Sequence, residues 1–188
     1  MKIYVPWKTP CIMLAVLYAT TVLAGCHAQR PKGGGGTLSI MKIAAYSPSA
    51  RPTEAVRKEC QLDTKLPNYI SAYAKRHFDQ VAFVDSVSPT TPGKVVTAKI
   101  THILAPGGGA YSGPKSLTME GVVRDNGKVI GTFTARRQVF AHVRPGVIVI
   151  GAGASTCGLM DKVAKELGKD VALWLEAPSM NARLGDAK

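Results

Sequence analysis

Acidic residues are scarce in this sequence: 12 Asp and Glu stand against 24 Lys and Arg in 188 residues, a net charge of +12. A balance of that sign points to an anionic partner, whether nucleic acid, lipid headgroups or acidic polymer. Charged residues are only 19% of the chain and hydrophobic ones 46%, with mean hydropathy near zero, which excludes a disordered chain and a multi-span membrane protein. No apolar run reaches the roughly 20 residues that cross a bilayer. Aromatics are few, at 6%, and do not interleave with basic residues as in a stacking platform for nucleic acid. Catalytic signatures are missing too: there is no GxSxG, HExxH or CxxC, and His27, His77, His102 and His142 lack the short spacings of a zinc site. The length allows one domain with tails and argues against a two-domain enzyme.

What is present begins with an export signal. Lys2 and Lys8 precede an apolar stretch, Cys11 to Val22, followed by Leu23, Ala24, Gly25 and Cys26, the layout of a signal peptide over residues 1–25. Leu23–Cys26 resembles the lipobox of bacterial lipoproteins, which implies cleavage before Cys26 and acylation of that residue. Two or more acyl chains anchor a protein durably, whereas one does not. In the Gram-negative lipoproteins that this resembles, an Asp after the modified Cys favours inner-membrane retention. Here that position is His27, so the resemblance implies the outer membrane, with the domain facing the periplasm or the cell surface. Residues 26–36 then comprise the lipidated Cys and a flexible tether, HAQRPKGGGG. Removing residues 1–25 takes away two lysines and no acid, leaving 22 basic against 12 acidic side chains, or +10. The basic character therefore belongs to the exported part, where lipid or cell-wall polymer is a better match than nucleic acid.

Residues 37–176 read as a single α+β domain and 177–188 as a disordered tail. The patterns predict strands over 37–46, 81–86, 94–104, 116–124 and 128–140, and helices over 59–78 and 157–175. The order β-α-β-β-β-β-α suggests a largely antiparallel sheet with two helices on one face. Asp125, Asn126 and Gly127 mark a tight hairpin. Alternation from Lys94 to Leu104 places Val96, Ala98, Ile100, His102 and Leu104 on one face. Ser155 or Thr156 suits the N-cap of the last helix. The arginines 136 and 137 must point to opposite faces of their strand, so only one of them can join a surface patch.

Two strings tempt a nucleotide reading. Val147–Ser155, VIVIGAGAS, is similar to the Gly-rich turn of Rossmann proteins, but Thr156 takes the third glycine position and a polar tail stands where a second strand ending in an acid should follow. Lys165–Asp170, KELGKD, has Val163 at the first glycine position of a phosphate loop and Asp170 at its hydroxyl position. No cofactor, metal or catalytic residue is expected from either. The better candidate contact surface is the long loop containing Gly107, Gly108, Gly109 and Tyr111. With Cys11 removed and Cys26 acylated, Cys60 and Cys157 remain, and an oxidising compartment favours a disulfide between them.

The stretch Cys60, Leu62, Asp63, Leu66, Pro67, the block Thr101–Gly121 and the ending Leu167–Leu175, LGKDVALWL, together resemble a family of small uncharacterised proteobacterial lipoproteins. The element order is also similar, at the level of fold, to periplasmic domains of the LpoB and CsgG kind. Neither resemblance carries an activity. The expected function is that of a non-enzymatic, outer-membrane-anchored periplasmic lipoprotein that binds a protein partner or an anionic envelope polymer, not nucleic acid. A hydrolase with an unrecognised site and an immunity-type inhibitor lipoprotein are the alternatives.

Overall fold

The computed structural model describes residues 35–88, 91–140 and 155–187. The signal segment, Cys26, most of the tether, His142 and nearly all of the Val147–Ser155 string lie outside the described residues. In chain order the elements are β1 (Thr37–Met41), β2 (Ala45–Tyr46), a π-helical turn (Val56–Cys60), α1 (Leu62–Ala74), β3 (Gln80–Val84), β4 (Lys94–Leu104), a short 3-10 turn (Gly109–Ser112), β5 (Lys115–Asp125), β6 (Lys128–Val139), α2 (Thr156–Trp174) and β7 (Ala182–Gly185). The chain is α+β, but its seven-stranded sheet, in the order β3-β1-β4-β5-β6-β7 with β2 beside β4, is mixed.

The expectation of a largely antiparallel sheet is corrected here. Among the described residues, only β4, β5 and β6 form antiparallel ladders, while β1 with β3, β1 with β4, β2 with β4 and β6 with β7 run parallel. For β1 with β3 and β6 with β7 the reason is topological: a helix between two strands carries the chain back to the end from which it started, so the next strand enters in the same direction. α1 does this between β1 and β3, and α2 between β6 and β7.

The tail is also corrected. Residues 182–185 form β7, held to β6 in the register Phe133–Ala182 to Arg136–Gly185. Its signal is in charge rather than in hydrophobic periodicity. Arg137 grips Asp170 of α2 with both forks, Nε to Oδ2 at 2.6 Å and Nη2 to Oδ1 at 2.9 Å, and reaches Asp186 beyond β7 at 3.2 Å. The backbone N–H of Gln138 also donates to Asp186. One arginine thus ties the last strand to helix and sheet, and of the adjacent pair Arg136 is the exposed one.

The first strand is split, and the first helix is broken by Gln61, whose φ of 50° separates the π-helical turn from α1. Pro67 sits inside α1, where its missing N–H leaves the Asp63 carbonyl without its usual helical donor. Ala44 supplies the replacement, donating its N–H to that oxygen at 2.8 Å and pinning the β1–β2 connection to the helix. Both helices cover one face of the sheet in a single core containing Leu38, Ile40, Leu66, Ile70, Met119 and Leu167. A bulge between Ile100 and His102 resets the alternation of β4. Ile103 therefore packs against the core, whereas His102, expected on the buried face, is exposed with Leu104.

Candidate functional site

The predicted contact loop and the predicted disulfide meet at the start of α2. Ser155 caps that helix by accepting from the Gly158 N–H at 3.0 Å. The Thr156 hydroxyl donates to the Pro106 carbonyl and accepts from the Gly109 N–H, holding the glycine loop against the helix. The next residue, Cys157, is bonded to Cys60, with their Cα atoms 4.9 Å apart. Consecutive residues therefore fasten α2 to the loop and to the π-helical turn. Gly108 and Gly109 take positive φ there, and Tyr111 projects with 71% of its surface exposed.

Under this loop lies a lysine that sequence reading did not single out. Lys115 has no exposed surface. Its Nζ donates to the Ser112 Oγ at 2.9 Å and to the Gly113 carbonyl at 3.1 Å, and burial pushes its pKa below the usual lysine value. The loop is a structured cap over a buried cation.

A second surface occupies the sheet face that the helices leave open. Side chains of opposite parity to the core residues stand in register across four strands: Lys99 of β4 faces Glu120 of β5, which faces Thr134 of β6, which faces Arg183 of β7. A neighbouring row holds Thr97, Val122 and Thr132, and another His102, Thr118 and Arg136. The first two rows, with Asn181, line a depression of about 720 Å³. Lys99 pairs with Glu120 at 3.2 Å. Thr132 accepts from the Asn181 N–H at 2.8 Å, fixing one rim.

Neither Gly107 nor the other glycines of the predicted loop reaches this depression, and the disulfide is not part of it. The signal for the open face was present in the polar phase of the alternation, Thr97 and Lys99 on one strand and Thr132, Thr134 and Arg136 on another. Arg183 fell in the stretch read as a tail. Contrary to expectation a strand does follow α2, and the acid just beyond it, Asp186, is engaged by Arg137 and Gln138, while the Gly-rich string itself lies almost wholly outside the described residues. Among the described residues, no three His, Cys, Asp or Glu side chains are grouped to hold a metal, and no helix is long and apolar enough to cross a membrane.

No protein-family profile matches the chain, and no curated protein matches it. Among solved structures, it is similar to a PelC dodecamer variant from Paraburkholderia phytofirmans, at 14% identity and a TM-score of 0.48, over 77% of this chain and 88% of that one. It is also similar to a minor lipoprotein from Acinetobacter baumannii, at 17% identity and a TM-score of 0.36, over 75% and 90% of the two chains. A Xanthomonas campestris protein of the DUF330 family overlaps at 10% identity with a TM-score of 0.40, over 74% and 83%. These are distant likenesses, and they say nothing of what this chain binds.

Proposed function

We propose that the protein is a non-enzymatic lipoprotein, anchored in the outer membrane through Cys26, whose domain binds an anionic envelope polymer. The observation that supports the binding role is the open sheet face, where, among the described residues, the basic side chains Lys99, Arg124 and Arg136 stand with Glu120 on β4, β5 and β6. Such a face raises the local concentration of polyanions, with an attraction that fades over a Debye length of roughly 8 Å at physiological salt. The anchor rests on the lipobox-like Leu23–Cys26.

The experiment has two arms. Metabolic labelling with a fatty-acid probe should mark the wild type in the outer-membrane fraction and fail with Cys26→Ala; equal labelling, or a soluble wild type, refutes the anchor. Binding of the mature protein to acidic envelope polymer should fall steeply with added salt and with Arg124→Glu plus Arg136→Glu. Binding indifferent to that double change refutes the role of the face, and recovery of one stoichiometric protein partner bound elsewhere favours the protein-binding reading.

A further inference from the structure

Thr156 and Cys157 open α2, and each is fastened to a different part of the chain. The Thr156 hydroxyl accepts from the Gly109 N–H at 3.2 Å and donates to the Pro106 carbonyl at 3.1 Å. Cys157 is bonded to Cys60, at the end of the π-helical turn. Among the described residues, no other hydrogen bond or ion pair ties this first turn to the rest of the fold, because the Ser155 cap bonds only within the turn, to Gly158. Ser155 and Gly158 are exposed, Thr156 and Cys157 are half-buried, and the helix enters the core only with Leu159 and Met160. From there α2 is secured separately: Asp161 accepts from the Tyr69 phenol at 2.8 Å and pairs with Lys65 at 3.1 Å. A helix start has few intrahelical bonds of its own and frays before the rest. The bridge is what keeps Thr156 in place.

What Thr156 holds is a cover. Residues 106–113 close on themselves through the Ser112 hydroxyl, which is bonded to the Pro106 and Gly109 carbonyls. Beneath them Lys115, with no exposed surface, donates to that same hydroxyl at 2.9 Å and to the Gly113 carbonyl at 3.1 Å. An ammonium carries three protons to donate, and burying one without an acceptor is unfavourable. Among the described residues Lys115 finds two acceptors, both in the cover itself. Once the loop loosens, water completes the lysine's bonds and opposes reclosure.

We infer that the Cys60–Cys157 bond is a redox latch for this loop: oxidised, it holds the loop over Lys115 through Thr156; reduced, it frees the first turn of α2, and the loop lifts to admit water to the lysine. The reductant is a dithiol. One of its thiolates attacks the Sγ of Cys157, the half-exposed partner, forming a mixed disulfide as the bond to Cys60 breaks and Cys60 takes a proton. The second thiolate attacks the reductant's own sulfur, closing its disulfide and releasing Cys157 as the other thiol. Two electrons and two protons pass to the protein. The glycine loop is then a contact surface with two shapes, and Tyr111 is displayed in a fixed place only in the oxidised one.

The test acetylates the full chain, purified without reductant, before and after treatment with dithiothreitol, and maps the modified lysines by mass spectrometry. Lys115 should be protected in the oxidised chain and acetylated about tenfold faster in the reduced one, as expected when a bonded, buried site opens. Lys162, exposed on α2, should react equally in both. Amide exchange at Gly109, which donates to Thr156, should quicken by a similar factor while the β4–β5 ladder stays protected. Thr156→Val removes the clamp and keeps the bridge, so it should expose Lys115 with no reductant present; this arm does not depend on the reduced chain staying folded. Lys115 equally protected in oxidised and reduced chains, or equally acetylated in both, overturns the latch. Faster exchange throughout the β4–β5 ladder on reduction, with Thr156→Val indistinguishable from the wild type, overturns it in favour of a bridge that only staples the fold.

Discussion

Gly168 offers a substitution for which local propensity and packing give opposite signs. It lies in the middle of α2, and a glycine there costs about 1 kcal/mol relative to alanine. On propensity alone, Gly168→Ala should stabilise the protein. Yet a Cβ at this position would lie 2.5 Å from the Tyr69 Cβ, 2.9 Å from the Tyr69 carbonyl carbon and 3.0 Å from the Ile70 nitrogen. Two of those three atoms are backbone, so no change of rotamer relieves the contact and α1 must move away from α2. Overpacking of this kind costs about 1–3 kcal/mol, and the constraint of the α1 backbone places it at the upper end. The net expectation is a loss of about 1–2 kcal/mol, or a fall in Tm of about 3–8 °C for a domain of this size. Urea denaturation with an unchanged m-value is the assay. A second readout comes from Tyr69, whose phenol donates to Asp161 of α2 at 2.8 Å and whose pKa is pushed up to about 12 by burial and by that carboxylate. Separation of the helices should return it toward 10, visible by ultraviolet titration. A higher urea midpoint for Gly168→Ala, with the Tyr69 titration unmoved, would refute the close-crossing argument.

Three further outcomes are expected. Reduction, or Cys60→Ser with Cys157→Ser, should cost about 2–4 kcal/mol, because the bridge closes a loop of 97 residues; two free thiols in denatured protein purified without reductant would show that it does not form. Lys115→Met should remove a pH dependence: the buried lysine's pKa is lowered, so between that value and 10.5 the unfolded chain binds more protons and the wild type gains stability as pH rises. A stability gap between wild type and Lys115→Met that stays flat up to pH 10.5 would contradict this. Asp170→Asn should loosen the hold of Arg137 on α2 and speed amide exchange in β7 about tenfold while leaving the β4–β5 ladder protected; uniform exchange across both would mean that the arginine does not hold the last strand selectively.

The parts of the fold that were legible are those whose signal is local. The Asp125–Lys128 hairpin could be read because Asn126 and Gly127 accept φ values of 47° and 81°, and α2 because its apolar stripe and its Ser155 cap coincide. Strand direction was a matter of connectivity: the helices between β1 and β3 and between β6 and β7 implied parallel neighbours, but periodicity carries no direction. β7 escaped because a four-residue edge strand held by Arg137 and Asp186 has no hydrophobic alternation to detect. His102 was placed on the wrong face by a bulge, which shifts side-chain parity without leaving a clear residue signature. The cysteine pair was found by elimination. The open face was half visible, as a polar phase that draws notice only once helices are known to cover the other side.

The family-like ending LGKDVALWL takes on a concrete meaning from the same geometry: Leu167 fills the core, Gly168 admits α1, and Asp170 receives Arg137.

The directions of the strands also give the domain two unlike ends. Leu38, Lys94 and Asp125 are in register, so the chain preceding β1 leaves from the same edge as the β5–β6 hairpin. The glycine loop follows Leu104 at the other end of β4, eleven residues and roughly 36 Å away at about 3.3 Å per residue. The hairpin edge is thus where the chain enters the sheet, and Tyr111 stands exposed at the opposite end. The depression belongs to neither end: its lining crosses β4, β5, β6 and β7 on the flank between them.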